Sequence, residues 1–313
     1  MLSRTADHLY WMSRYTERAE NIARMLEVTY RMSLQMHATQ GGYWGAALGI
    51  NGLEESYTAQ YGVITAANVL RFMSVDMDNP SSILSCLRAA RENCHAVRGT
   101  VTSEVWETLN TTWLEARDSV NGLLHGSIQG SELTKYFEWV KFRSHLSRGV
   151  TVGTMLQDEA FHFIRLGTFL ERADNTARLL DVKFDELAPK DGPSGEYYEW
   201  GALLRSVSAF EVYRKVYRDV LTPQRVAELL ILRDDMPRSL HSCMKEVQQI
   251  LGLVANTRSH ETLRRAGEIY SRLHYGRIED VFEHGLHEYL SQFLDCTADL
   301  GNLIAQDFLV PMA

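Results

Sequence analysis

Apolar residues recur at steps of three and four along almost the whole chain. Between Leu9 and Thr29 the apolar or small positions are Leu9, Met12, Tyr15, Ala19, Ile22, Leu26 and Thr29, which is the spacing of one helical face. Near the other end Ile278, Val281, Phe282, Leu286, Tyr289, Phe293, Thr297, Leu300 and Ile304 continue the same period. Alternating strand-like runs are almost absent. The periodicity predicts helices over 4–36, 54–74, 81–97, 101–121, 131–147, 154–184, 196–219, 223–232, 237–255 and 260–308, the last interrupted. Loops are expected over Asn121–Ser131, with three glycines, and over Asp185–Glu196, with Pro189, Gly192, Pro193 and Gly195. Neither has the length or composition of a flexible linker. The expectation is an all-α helical bundle forming a single domain over 1–313.

A repeat is superimposed on this pattern. Glu17 to Val28 reads ERAENIARMLEV and Glu171 to Val182 reads ERADNTARLLDV, with eight of twelve positions identical at an offset of 154 residues. Trp44-Gly45-Ala46 with Leu48 returns as Trp200-Gly201-Ala202 with Leu204, and Tyr57 and Tyr61 return as Tyr213 and Tyr217, both at 156. Val69, Pro80, Ser82 and Cys86 return as Val226, Pro237, Ser239 and Cys243 at 157. The slow drift is what small loop insertions produce, and the period is too long for a solenoid unit. It reads as duplication of a half of about 1–150 into 151–313, with the halves related by a pseudo-twofold axis. After Thr102 no repeat is traced. Such an axis predicts that helices 4–36 and 154–184 are neighbours.

Composition narrows the partners. With 313 residues, 45% hydrophobic and 23% charged, the chain has the make-up of an ordinary globular protein with a large core. A formal charge of −8 speaks against non-specific nucleic-acid binding and against adsorption to anionic membranes. No apolar run has the length of a membrane span, and the opening MLSRTADHLY lacks the apolar core of a secretory signal. Cys86, Cys94, Cys243 and Cys296 form no CxxC pair. Reduced thiols in a cytoplasmic protein are expected.

The repeated segment carries the candidate chemistry. On a helix, Glu17, Asn21 and Arg24 lie along one face, with Ala19, Ile22, Ala23 and Leu26 opposite. The second copy sets Glu171, Asn175 and Arg178 against Ala173, Thr176, Ala177 and Leu180. A solvated face accepts almost any polar residue, so recurrence of the same three asks for a cause. One is structural: Glu20 to Arg24 and Asp174 to Arg178 are acid-before-base pairs at i, i+4, and guanidinium forks suit a buried polar network. The other is a cleft in which Glu17, Arg18, Asn21, Arg24, Glu171, Arg172, Asn175 and Arg178 meet a ligand or partner. Both stay open on the sequence.

Other motifs point to structure. Asn79-Pro80-Ser81-Ser82 and Met236-Pro237-Arg238-Ser239 read as helix starts with proline in the first turn. Glu92/His95 and Glu159/His162 have the Glu-x-x-His spacing of di-iron bundles, but the further paired glutamates are missing and the position matching Glu159 in the first half is Thr5. No metal site and no cofactor are expected. His284 and His287, with Glu283 and Glu288, read as a solvated helix side. No phosphate loop, GxSxG elbow or HExxH occurs.

YWMSRYTERAENIARMLEV and FIRLGTFLERADNTARLLDV resemble the bacterial alpha-E family, a predicted α-helical domain with an ER motif, as do RAARENCHAVRGTVTSEVWETLN and VAELLILRDDMPRSL. The resemblance covers nearly the whole chain and makes Glu17-Arg18 and Glu171-Arg172 the motif residues. It implies an all-helical protein usually encoded beside a circularly permuted ATP-grasp ligase and a transglutaminase-like protease. It assigns no catalytic role. The expectation is an accessory or scaffold partner of an ATP-grasp-type amide ligase in peptide synthesis or modification. The alternative is an enzyme or ligand-binding protein whose Glu/Arg/Asn stripe takes an acidic or amino-acid-like substrate.

Overall fold

The dense helical periodicity becomes fifteen α-helices, with no strand among the described residues, which are 1–35, 42–125, 130–186 and 192–309 of a computed structural model. The fold is all-α. The chain divides into two compact units, Met1–Thr168 and Phe169–Ala313, with the boundary inside one helix.

The first unit holds α1 (Ser3–Gln35), α2 (Gly42–Ile50), α3 (Glu54–Tyr61), α4 (Ala66–Ser74), α5 (Ile83–Ala96), α6 (Ser103–His125), α7 (Ser131–Thr154) and the first turns of α8 (Glu159–Glu186). Helix α1 is its axis, packed against α5 and α7, with α2 and α4 also in contact. Leu9, Ala19, Ile22, Ala23 and Leu26 are buried on one side, and Glu17, Glu20 and Arg24 are buried on another. A helix buried nearly all round needs partners for its polar face as well as its apolar one.

The second unit holds the rest of α8 with α9 (Gly192–Ser206), α10 (Phe210–Tyr217), α11 (Pro223–Ile231), α12 (Leu240–Leu253), α13 (His260–His274), α14 (Ile278–His284) and α15 (Leu286–Phe308). Helix α13 packs on α12 and α15, while α11 touches α9, α10, α12 and α14. The interruption expected in 260–308 falls at Tyr275–Arg277 and at Gly285.

Two further breaks were not legible as such. The expected helix 54–74 is α3 and α4, parted after Gly62 at φ +69°, and the expected helix 196–219 is α9 and α10, parted at Ser208 at φ +55°. Left-handed residues recur at one offset: Gly52 (φ +63°) with Ser208, and Gly62 with Arg218 (φ +52°). In the second unit the positive φ is held by side-chain-bearing residues, at a steric cost that glycine avoids, and Arg218 is left-handed helical at ψ 27° where Gly62 has ψ −103°. The loop expected from Asn121 is helical as far as His125, and α9 already begins at Gly192 within the second expected loop; residues 126–129 and 187–191 lie outside the described residues. Helix α7 runs on to Thr154, so the expected start of helix 154–184 moves to Glu159.

The same local devices brace both units. Tyr57 and Tyr213 are fully buried, and their hydroxyls donate to the carbonyls of Val63 (3.1 Å) and Val220 (2.9 Å). Each also accepts from the backbone of the next N-cap, Thr65 (3.4 Å) or Thr222 (3.3 Å). Ser82 and Ser239 cap α5 and α12 by accepting from the amides of Ser85 (3.1 Å) and Ser242 (2.9 Å). Pro80 and Pro237 therefore sit two residues ahead of the caps, outside the first turn, and their carbonyls accept from the thiols of Cys86 and Cys243, both at 3.8 Å.

Helices α1 and α8 are neighbours at their first turns within the first unit. The Met1 amine lies 2.5 Å from Glu159 Oε2. A Cβ on Gly167 would stand 2.3 Å from the Tyr10 carbonyl oxygen and 2.3 Å from Ser13 Oγ. The carbonyl belongs to helical backbone and cannot step aside. Gly167→Ala should cost about 1–3 kcal/mol in urea unfolding, the usual penalty of overpacking. Gly267→Ala, with open space around its Cβ, should instead be neutral or stabilise α13 by up to about 1 kcal/mol. Equal effects at the two sites would refute a close helix crossing at Gly167.

Candidate functional site

Helix periodicity sets Glu17, Glu20, Arg24, Glu27 and Arg31 along one side of α1, and Lys141, Ser144, His145 and Arg148 along the facing side of α7. Contacts between them run in opposite chain directions, so the helices are antiparallel here. Lys141 Nζ donates to Glu27 Oε2, and Arg31 donates to Glu27 Oε1 at 2.6 Å. Arg24 Nε donates to Glu20 Oε1 at 2.8 Å, the i, i+4 pair expected from the sequence. Ser144 Oγ donates to Glu20 Oε2 at 2.7 Å.

The centre of this ladder is Arg148. Its Nη1 donates to Glu20 Oε2 at 2.5 Å and to Glu17 Oε2 at 2.9 Å. Glu17 and Glu20 are 1% and 0% exposed, whereas the Arg148 side chain is 27% exposed. Two carboxylates this close and this deep would repel each other and lose hydration when ionised, a cost that the shared guanidinium offsets. The outer edge is completed by His145, an exposed residue, whose Nδ1 lies 2.7 Å from Arg148 Nη2 and whose Nε2 lies 3.2 Å from Arg24 Nη2.

Of the first predicted stripe, Glu17 and Arg24 join this ladder. Asn21 is buried beside it, and Arg18 is half-buried with its guanidinium 5.6 Å from the Tyr15 ring centroid. In the second unit Glu171 and Arg172 are buried. Arg172 lies 5.4 Å from the Phe169 ring and donates to the Pro237 carbonyl at 3.4 Å, while Thr176 donates to the Arg238 carbonyl at 3.0 Å. These bonds tie α8 to the segment that caps α12. Asn175 is half-buried, and Arg178 is exposed in its 2.8 Å pair with Asp174. Thus Arg24 and Arg178 share a sequence position but differ in surroundings, one sunk in the ladder and one at the surface.

Glu20 was legible only as the partner of Arg24. Arg148, Ser144, His145 and Lys141 have no counterpart in the repeat, and the one signal available was their 3-4 spacing on a long helix. The Glu-x-x-His pairs are used elsewhere: Glu92 binds Arg91 at 2.8 Å, His95 lies 5.5 Å from the Trp106 ring, Glu159 holds the amino terminus, and His162 lies 5.8 Å from the Phe161 ring. Among the described residues no group of three or more His, Cys, Asp or Glu is placed to hold a metal ion. His287 reaches back to Asp181 at 2.7 Å, so the helix side read as solvated makes one contact with α8.

In the second unit a cavity of about 160 Å³ opens between α13 and α15, lined by residues including Arg265, Ile269, Arg272, Phe293 and Cys296. Its cations are already engaged: Arg265 with Asp299 at 3.3 Å and Arg272 with Gln292 at 2.5 Å. Cys296 is half-exposed, while Cys86, Cys94 and Cys243 are buried. Burial pushes the Cys94 thiol up to about 12, against a smaller opposing effect of Arg91.

The chain belongs to the Alpha-E family, described as a predicted alpha-helical domain with a conserved ER motif, whose model matches residues 1–309. Similar curated proteins are uncharacterized proteins of Mycobacterium tuberculosis and Mycobacterium bovis, 25% identical over 93% of this chain and 35% of theirs. The chain thus spans about a third of the length of these relatives. No solved structure matches it. No helix among the described residues is long and apolar enough to cross a membrane.

Two outcomes follow from this geometry. Arg148→Met should destabilise the protein by about 3 kcal/mol, the lower end for stripping a partner from buried charge, since Arg148 keeps some solvent. Combining it with Glu17→Gln should recover part of that loss, while Arg264→Ala at an exposed pair should leave the urea midpoint nearly unchanged. A cost for Arg148→Met as small as that of Arg264→Ala in urea unfolding would dismiss the ladder as a buried network. Separately, a thiol reagent at neutral pH should label Cys296 in the folded protein, with the other three thiols reacting only after denaturation. Prompt labelling of Cys94 would contradict its burial.

Proposed function

We propose that this member of the Alpha-E family is an accessory or scaffold protein for an ATP-grasp-type amide ligase that builds or modifies a peptide. The observation that supports it most is the length of its relatives: in the mycobacterial proteins the matching stretch is 35% of the chain, so this helical module occurs there joined to other polypeptide. The ladder adds a second argument. Buried Glu17 and Glu20 are bound by Arg148 and Arg24, a use of charge that fixes helices together. The ligase would supply the ATP chemistry, with a transglutaminase-like protease as a further partner. Under this reading the protein works in a bacterial cytoplasm, where ATP is available, and its two units descend from one duplicated half. The recurrent tyrosine latches and serine caps support that descent.

A second reading, an enzyme or ligand-binding protein that takes an acidic or amino-acid-like substrate, draws on one feature. The outer edge of the ladder, at exposed His145 and the partly exposed Arg148, is open to solvent.

Pulldown of the full chain from native extract, followed by ligase assays with and without it, separates the two. The expected result is a co-purifying ATP-dependent amide ligase whose rate rises several-fold when this protein is added, and no turnover by the protein alone. Turnover by the isolated chain that disappears in folded Glu17→Gln or Glu171→Gln variants would replace the first reading with the second.

A further inference from the structure

Helix α5 carries Arg88, Arg91 and His95, and Arg98 follows in the turn just beyond its last residue. At about 100° per residue these four fall within an arc of about 80°, on the side away from buried Cys86, Ala90 and Cys94. Arg88, His95 and Arg98 are exposed and Arg91 is half-buried. Trp106, in the first turns of α6, gathers three of them: its ring centroid is 5.3 Å from the Arg91 guanidinium carbon, 5.3 Å from that of Arg98 and 5.5 Å from the His95 ring. Arg91 Nε is further fixed by Asn110 Oδ1 at 3.2 Å, and Glu92 neutralises Arg91 alone. Among the described residues Arg88 and Arg98 have no ion pair; exposed Arg4, Arg71, Arg214 and Arg218 have none either, but of these unpaired arginines Arg98 is the one held against an aromatic ring together with a second guanidinium and an imidazole.

We propose that this Arg/His stripe over Trp106 is the docking surface for an acidic polypeptide segment. The inference rests on the partner reading above and names the chemistry of what is docked. A guanidinium lying over an indole, as that of Arg98 does, keeps its N–H edges free for carboxylates, and its planar fork suits bidentate pairing. From Arg88 to Arg98 the stripe rises about 15 Å, which matches carboxylates at i, i+3, i+7 and i+10 of a helix or about five residues of an extended chain. A nucleic acid fits less well. The Trp106 ring is already engaged by two guanidiniums rather than offered to a base, and a chain with formal charge −8 repels a long phosphate backbone. A short acidic peptide meets the local positive charge without meeting the global negative one.

A fluorescein-labelled peptide of about twelve glutamates, followed by anisotropy at low salt and at about 0.3 M salt, tests the surface. The full-length protein should bind it in a salt-sensitive manner, and Arg88→Glu/Arg98→Glu should weaken binding at least tenfold. Trp106→Phe should weaken it severalfold with the helical circular dichroism retained, and Arg277→Glu in the other unit should leave it unchanged. Equal binding by the Arg88→Glu/Arg98→Glu and Arg277→Glu variants overturns the proposal. So does a thymidine oligonucleotide of similar length that binds more tightly at the stripe. Co-purification from extract keeps the two readings apart. Peptide binding that depends on the stripe without any co-purifying ligase removes only the ligase reading, and a co-purifying ligase with no stripe-dependent peptide binding removes only the docking surface.

Discussion

Two glutamates buried on one helix and sharing a single guanidinium set the terms for the first unit. Glu17 and Glu20 are sealed between α1 and α7, and Arg148 Nη1 reaches both. Taking two carboxylates out of water is unfavourable unless a cation and further hydrogen bonds go with them, so α1 can occupy the centre of the unit only while α7 stands alongside in one register. Sliding α7 by one residue would turn Arg148, Ser144 and Lys141 away from their partners by about 100°. Apolar contacts alone tolerate small slips; a ladder of matched charges does not. The polar stripe therefore specifies the pairing of α1 with α7 more than it adds to stability, the role for which buried polar groups are best suited.

The second unit uses the equivalent sequence differently. Glu171 and Arg172 are buried, but Arg172 and Thr176 bind backbone carbonyls of Pro237 and Arg238, fixing the start of α12. Arg178 is left at the surface with Asp174. One segment repeated in sequence thus serves two local purposes, with Arg24 sunk in the ladder and Arg178 at the surface.

Much of the fold was legible because helices announce themselves by period, and a 3.6-residue pattern sustained for six or seven turns has few other solutions. What was not legible were breaks made by backbone conformation. The boundary between α9 and α10 rests on Ser208, a residue that gives no warning of a positive φ, and Gly62 before α4 reads as an ordinary glycine in a helical pattern. Tyr57 and Tyr213 show why those breaks are sharp, since each hydroxyl binds the carbonyl of the loop and the amide of the next cap. In the candidate site, the repeat identified the buried acids Glu17 and Glu171 and could not identify Arg148. A partner brought in by tertiary packing leaves no mark at fixed spacing from the residue it serves.

The distribution of arginines ties these observations together. In the ladder and at the cap of α12, guanidiniums are sunk against carboxylates and carbonyls and hold helices in place. Surface Arg225, Arg264 and Arg277 are cancelled by acids within six residues of each in sequence. Arg88 and Arg98 follow neither pattern, nor do exposed Arg4, Arg71, Arg214 and Arg218, but at this face Trp106 gathers Arg91 and Arg98 together. In a chain with an excess of acids, carboxylates to cancel them could have been placed nearby at little steric cost. Cations left uncancelled, and oriented by an aromatic ring, are a different use of the same residue type: they retain the capacity to bind charge that comes from outside the chain.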